Sequence, residues 1–265
     1  MRLLLKLSVN NSNKISLNYN YALSSAIYSL LKFGSPEFSS FLHQIGYKSD
    51  NKTYKLFTFT LKFESTQLTN NYLSFNSPKA YLYISSPMID DFIKNFVIGT
   101  FEQKKIELYS DYIKTVFNID EAELIPPPNF NENMYFKMIS PMVLSTYKII
   151  DGDNSQYFFR YDDDINEINR VFNQNLLNKY QAINNREYVG SGIKLSWDID
   201  FAIQSLKKGK RLSKKVLINK DINNPIDVIG IFCPFNVSGD SKLTKLGYEC
   251  GFGEKNSMGF GMVAA

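Results

Sequence analysis

His43 is the single histidine of the 265-residue chain, and so the one side chain whose ordinary pKa lets it both take and give a proton near neutral pH. It lies in "SPEFSSFLHQIG" (Ser35–Gly46), where Phe38, Phe41, Leu42 and Ile45 share one helical stripe and His43 falls well off it. An imidazole so placed projects from the outer face of a helix near its C-terminal end. Tyr28 repeats the pattern one helix earlier. In "NYNYALSSAIYSLLKF" it sits on the side of Tyr21, Ser24 and Ser25, away from the stripe of Ala22, Leu23, Ala26, Ile27, Leu30 and Leu31. Each alone is an ordinary surface side chain, but two polar groups on the free faces of consecutive helices can converge. Lys48, Lys52 and Lys55 come next. Solvated loop lysines are common, yet a lysine here could neutralise charge that builds on a phosphate in a transition state.

Two further stretches bear on binding. "SLKKGKRLSKK" (Ser205–Lys215) places Lys207, Lys208, Lys210, Arg211, Lys214 and Lys215 in nine positions without an acid among them. Between two expected strands, with Gly209 at the turn, it reads as a basic β-hairpin. Six mutually repelling cations suit a polyanion, each neutralised phosphate steepening the salt dependence by roughly 0.7–0.9 log units per log unit; the plainer alternative is a solvated hairpin tip. "LGYECGFGEKNSMGFGMV" (Leu246–Val263) holds five of the chain's 14 glycines. It lacks the lysine and Ser/Thr ending of a phosphate-binding nucleotide loop and is followed by no helix. Glycines do, however, let backbone N–H groups approach a phosphate closely.

Composition narrows the classes. Hydrophobic residues at 44% and charged residues at 21% are globular values rather than those of a disordered chain. The balance of 30 basic to 26 acidic residues, a net charge of +4, admits nucleic acid without demanding it. Two cysteines and one histidine cannot furnish the four ligands of a Cys/His zinc site, so no such metal centre, and no cofactor held through one, is expected. Cys233 and Cys250 stand among apolar neighbours and read as buried thiols of a reducing compartment. "MRLLLKLSVNN" is too short and interrupted for a signal peptide, and no long apolar run suggests a membrane span, so a cytoplasmic location is expected.

The elements that must position these residues can be traced in order. "MRLLLKLSV" reads as a strand and Tyr19–Phe33 as a helix. Gly34 stops that helix, and Ser35 and Pro36 cap and open the next. Strands are expected at Tyr54–Phe63 and Tyr81–Ser86, then a helix capped by Ser86 with Pro87 at its first position, then "KKIELY" and Tyr112–Leu124. That β, α, β, β, α, β order is the ferredoxin-like plan, with an extra helix and strand. "IPPPNFNEN" is the clearest linker, since three consecutive prolines fit neither a helix interior nor a central strand. The expected domains are therefore 1–125, a Pro-rich linker 126–133, and 134–265. The second domain reads as one or two strands in "YFKMISPMVLSTYKI", a helix from Asp162 to about Ala182, and strand-rich sequence in "GIKLSWDIDFAIQSL", "RLSKKVLI" and "IDVIGIFCPFNVS". A short element at Ser241–Leu246 then leads into the glycines.

Together these pieces resemble a known family. "LGYECGFGEKNSMGFGMV" looks like the C-terminal glycine-rich signature of the CRISPR repeat-processing endoribonucleases of the RAMP (repeat-associated mysterious protein) superfamily. "MRLLLKLSV", "AIYSLL", "FLHQIG" and "KLFTFT" match that family's N-terminal order, and "MISPMVLST" resembles the start of its second domain, so the resemblance spans nearly the whole chain. It implies an α+β fold of two tandem ferredoxin-like (RRM-like) domains with a C-terminal glycine-rich loop. It also implies metal-independent cutting of CRISPR precursor RNA within each repeat: 2′-hydroxyl attack leaves a 2′,3′-cyclic phosphate and a 5′-hydroxyl. By position, His43 falls on the family's catalytic histidine, Tyr28 on its tyrosine and Lys55 on its lysine. Because "YKSDNKTY" is longer than the family pattern, Lys52 and Lys48 stand beside Lys55 as alternatives. The basic stretch, with Gly251, Gly253, Gly259 and Gly261, is implied to meet the RNA. The partners implied are repeat RNA as precursor and product and, beyond it, subunits of a CRISPR interference complex, with no membrane; monomer or homodimer stays open. The rival reading is a non-catalytic repeat-RNA-binding subunit of an interference complex.

Overall fold

A computed structural model describes residues 1–9, 12–50, 52–70, 72–150, 152–218 and 226–265. The chain forms two compact units. One comprises Met1–Gly46, Phe59–Pro127 and Ile218–Ile226; the other comprises Tyr47–Thr58, Pro128–Leu217 and Asp227–Ala265. One division between the units lies between Pro127 and Pro128, and Tyr47–Thr58 groups with the C-terminal residues.

In the first unit a five-stranded sheet runs in the order Thr58–Phe63, Lys79–Ser85, Arg2–Val9, Ile113–Ile125, Lys105–Ser110. Arg2–Val9 is central and pairs antiparallel on both sides. Set aside Lys105–Ser110, and the spatial order is second, third, first, fourth: the ferredoxin-like sheet. The helices Asn20–Gly34 and Asn95–Gln103 are its two crossovers. Leu3, Leu5 and Leu7 of the central strand are all buried, as are Leu23, Ile27 and Leu31 of the first helix, so both periodicities serve one core. Lys14–Ser16, Tyr72–Phe75 and Thr66–Thr69 add a small separate sheet.

The second unit repeats the plan. Its four-stranded sheet has the order Ile193–Trp197, Phe235–Gly239, Asn133–Met138, Val263–Ala264, again second, third, first, fourth. Helices Ile165–Asn184 and Ser241–Cys250 make the crossovers, capped by Asp164 and Asp240, whose side chains accept from the N–H groups of Asn166 and Lys242. A hairpin, Ser145–Ile150 with Asp153–Phe158, is inserted after the first strand. A helix, Ile199–Lys207, and the strand pair Ser213–Ile218 and Ile226–Ile231 are inserted after the second. Cys233 and Cys250 are free and buried, and burial pushes the Cys233 thiol up to about 12.

Four sequence expectations are corrected. The expected Tyr54–Phe63 strand is broken: Lys52–Tyr54 pairs with Tyr47–Ser49, Leu56 adopts a left-handed φ of 52°, and the sheet strand starts only at Thr58. The helix expected from Ser86 begins instead with a π-turn at Ile89–Lys94, while the Ser86 hydroxyl accepts from the Met88 N–H (3.1 Å). "DIDFAIQSL" is helical rather than extended. Asp198 caps it by accepting from the Phe201 N–H (2.9 Å), which stops the preceding strand at Trp197. The basic run is consequently no hairpin with Gly209 at its tip: Lys207 ends a helix, Lys208–Leu212 connect, and only Lys214 and Lys215 lie on a strand. Among the described residues no helix is long and apolar enough to cross a membrane.

Candidate functional site

The first unit brings Tyr28 and His43 together. The first helix buries Leu23, Ile27, Leu30 and Leu31 and leaves Tyr28 half-buried. Gly34 ends it. Ser35 then caps the next turn, its hydroxyl accepting from the Phe38 N–H (3.1 Å), with Pro36 at the first helical position. After Ser40 the helix widens into a π-turn at Phe41–Ile45, closed by the Gly46 N–H donating to the Phe41 carbonyl (2.8 Å). The extra residue in this turn rotates the later side chains off the α-helical wheel. Leu42 is fully buried, but Ile45, expected on the same stripe, is 51% exposed. His43 comes directly after the anchor Leu42 and is exposed, as the wheel foresaw.

The His43 and Tyr28 rings meet edge to face, with centroids 5.3 Å apart and planes at 87°. The Ser39 hydroxyl ties the two helical segments together by donating to the Tyr28 carbonyl (3.0 Å). Burial holds the Tyr28 phenol well above its ordinary pKa, so it stays a neutral donor. Both rings line an open cleft of about 360 Å³ that also receives Ser25, Ser29 and Lys32. Lys32 is a cation that sequence reasoning passed over. Its signal was the four-residue spacing from Tyr28, which puts both on one helix face.

Lys55, Lys52 and Lys48 belong to the other unit. Lys55 directly precedes the left-handed Leu56, whose side chain is 3% exposed, so a strained peptide fixes the lysine's approach. Partial burial pulls its ammonium pKa down. Lys52 is exposed and stands 3.7 Å from Glu254.

The glycine-rich segment is a closed structure. Gly251, Gly253, Gly259 and Gly261 all have φ between 72° and 86°, and all four are buried. A Cβ at Gly253 would overlap the Val143 carbonyl oxygen, and one at Gly261 the Phe252 carbonyl oxygen. Between them Phe252 stacks on Phe172 (centroids 5.4 Å, 13° between planes). At the centre lies Lys179, 1% exposed, a residue the sequence reading did not single out. Its ammonium donates to the carbonyls of Gly251 and Gly253 (both 2.7 Å) and to Asn256 Oδ1 (2.8 Å). The Asn256 amide in turn donates to the carbonyls of Phe252 (3.1 Å) and Phe260 (3.0 Å). Charge-assisted bonds of this kind are the strong ones, and here they fold the glycine segment onto a helix more than 70 residues away in sequence. The signal was available: Phe172, Leu176 and Lys179 continue one buried helical stripe at i, i+4, i+7.

The basic residues all belong to the second unit. Lys207 and Lys208 sit at a helix C-terminus, where cations are favoured. Lys210, Arg211, Lys214 and Lys215 line a cleft of about 690 Å³ together with Phe201 and Phe232. Lys214 lies over the Phe232 ring at 4.0 Å. Lys215 is 2.6 Å from Asp227, so an acid absent from the run in sequence reaches it across the strand pair.

Two family models match the chain: CRISPR-associated protein Cas6, N-terminal, over residues 14–120, and CRISPR associated protein Cas6, C-terminal, over residues 125–265. The chain is 34% identical to the CRISPR-associated endoribonuclease Cas6 1 of Methanocaldococcus jannaschii, covering 99% of this chain and 92% of that one. It is 25% identical to the CRISPR-associated endoribonuclease Cas6 of Pyrococcus furiosus, over 99% and 89%. A solved structure described as CRISPR associated protein Cas6 superposes with a TM-score of 0.74 at 30% identity, covering 100% of this chain and 98% of the other. With both halves matched in order and the paired ferredoxin-like units in place, this chain belongs to the Cas6 family of CRISPR-associated proteins.

Proposed function

We propose that this protein cuts CRISPR precursor RNA within its repeats by a metal-independent reaction centred on His43. The observation that carries the reading is the edge-to-face contact of an exposed imidazole with a half-buried phenol beside an open cleft. In the reaction the ribose 2′-oxygen loses its proton and bonds to the adjacent phosphorus. The P–O5′ bond breaks, O5′ takes a proton, and a 2′,3′-cyclic phosphate and a 5′-hydroxyl result. His43 moves one of these protons, a role worth about 10²–10⁴-fold. Tyr28, kept as a phenol by burial, donates a hydrogen bond that orients the phosphate. Lys55 is assigned the charge on the phosphorane, with Lys52 the alternate.

Lys207, Lys208, Lys210, Arg211, Lys214 and Lys215 supply phosphate contacts, and the product RNA is held by the same groups. The glycines act mainly through shape; Gly253 lines a cleft whose rim carries Lys255 and Ser257. Delivery of the product to interference-complex subunits, and a cytoplasmic site of action, belong to the same reading. The test is incubation with the cognate repeat RNA in EDTA. We expect one discrete cut per repeat that ends in a cyclic phosphate, and a loss of about 10² or more in rate for His43→Ala with RNA affinity kept. A requirement for added metal would remove the mechanism. Tight binding with no cut by the unaltered protein would establish the non-catalytic role instead.

A further inference from the structure

The second unit contains a cleft of about 520 Å³ that Lys52 and Lys55 help to line, but whose remaining walls, around Asn175, have no part in the catalytic proposal. Its floor is the helix Ile165–Asn184, and its walls include Tyr54, Tyr147 and Lys255. Asn175 on that helix is only 4% exposed, and its side-chain oxygen has no hydrogen-bond partner among the described residues. Folded proteins leave few buried polar groups unpaired, and each asks for an explanation. Asn175 stands beside Phe172, Leu176 and Lys179 in the buried positions of its helix, where an apolar residue would fill the same space at no such cost.

The surroundings say what would satisfy it. Lys52, Lys55, Arg170 and Lys255 line the cleft. Glu167 engages Arg170 in a solvent-accessible pair that a phosphate can displace, while Glu254, 18% exposed, also lines the cleft, accepts from the Ser145 hydroxyl (2.6 Å) and stands 3.7 Å from Lys52. Tyr147, 68% exposed on the inserted hairpin, offers a ring face. An edge-reading carboxamide, an aromatic platform and flanking cations are the parts with which proteins hold an unstacked nucleotide.

We propose that this cleft receives one unpaired nucleotide of the RNA substrate, with Asn175 reading the base edge, Tyr147 stacking on the base, and Arg170 and Lys255 holding its phosphates. The base presents an N–H to the Asn175 oxygen. The inference rests on the RNA-substrate reading above.

The test uses the cognate repeat RNA made as a series, each member carrying one abasic nucleotide, with binding to the full-length protein read by fluorescence anisotropy. We expect one position outside the cleaved linkage at which the abasic site weakens binding about tenfold. Asn175→Leu should bind the unmodified repeat that much more weakly and be indifferent to the abasic site at that position, while melting at the same or a higher temperature. A purely structural asparagine would not combine lost base sensitivity with undiminished stability. Tyr147→Ala, at an exposed position that cannot unfold the unit, should lose sensitivity at the same nucleotide, and it keeps the test decisive should Asn175→Leu fold poorly. Wild-type and variant profiles that coincide at every position, with cleavage intact, would overturn the cleft assignment alone. Failure of the unaltered protein to bind the repeat at all would overturn the RNA reading with it.

Discussion

The two units use one sheet order for opposite purposes. In each, a helix comes after the first strand and crosses the sheet, and in each that helix carries the polar residues that matter. In the first unit the polar group is on the open side: Tyr28 is half-buried, meets exposed His43, and lines a cleft. In the second unit the equivalent helix turns polar residues inward. Lys179 is buried under the glycine segment, and Asn175 is buried in the cleft floor, where its removal orphans no partner. Chemistry placed on an outer face can be altered without touching the core, whereas a buried ammonium with three acceptors cannot be removed without orphaning them. The comparison therefore separates residues whose loss should silence the protein from residues whose loss should unfold part of it.

The sharpest way to break that separation is Lys179→Met, which keeps the stem and removes the charge. Three acceptors lose their donor, and we expect at least about 3 kcal/mol of lost stability. It should appear in chemical denaturation and, by hydrogen exchange, be concentrated in the second unit. An unchanged midpoint would show that the glycine segment holds itself. Next in size is Gly261→Ala. Its new Cβ would meet the Phe252 carbonyl oxygen at a φ of 76°, so about 1–3 kcal/mol should be lost, again in the second unit. The smallest effect belongs to the first unit. Tyr28→Phe keeps the ring against His43 and removes only the hydroxyl, so the melting temperature should hold while single-turnover cleavage slows about tenfold, about 1.4 kcal/mol of barrier. Loss of folding in Tyr28→Phe would place this phenol with the buried group and blur the distinction.

Much of the plan was legible because its signals are local. The short apolar run in Arg2–Val9, the Ser35–Pro36 helix start and the prolines after Ile125 each need only a few neighbouring residues to be read. His43 and Tyr28 were singled out because a helical wheel shows which side chains leave the apolar stripe, and because the order of their elements resembles the family's. What was missed is set by distant partners or by irregular backbone. The π-turns at Phe41–Ile45 and Ile89–Lys94 defeat a 3.6-residue period, which is why Ile45 was assigned to the wrong face. "IDFAI" alternates enough to resemble a strand, and only the Asp198 cap reveals the helix. The break at Leu56 has no glycine to announce it. Lys179 was passed over because a lysine ordinarily marks a solvated position, and its partners lie more than 70 residues on. Asp227 reaches Lys215 only once the strand pair forms.

The dependence of Lys179 on the glycine segment also bears on how the protein is made. Its acceptors are residues 251, 253 and 256, and the fourth strand of the second sheet is Val263–Ala264, paired with Lys137 and Met138. While the chain is still on the ribosome, the helix Ile165–Asn184 is complete long before these groups exist, and its ammonium has only water to bind. The first unit's central sheet draws on strands no later than Ile125 and faces no such wait. Synthesis should therefore yield a folded N-terminal sheet early and a second unit that closes only once residues 251–264 have emerged. A chain that stops short of residue 251 would then be a visibly unfinished protein for proteases to clear, rather than a complete-looking one with a missing function.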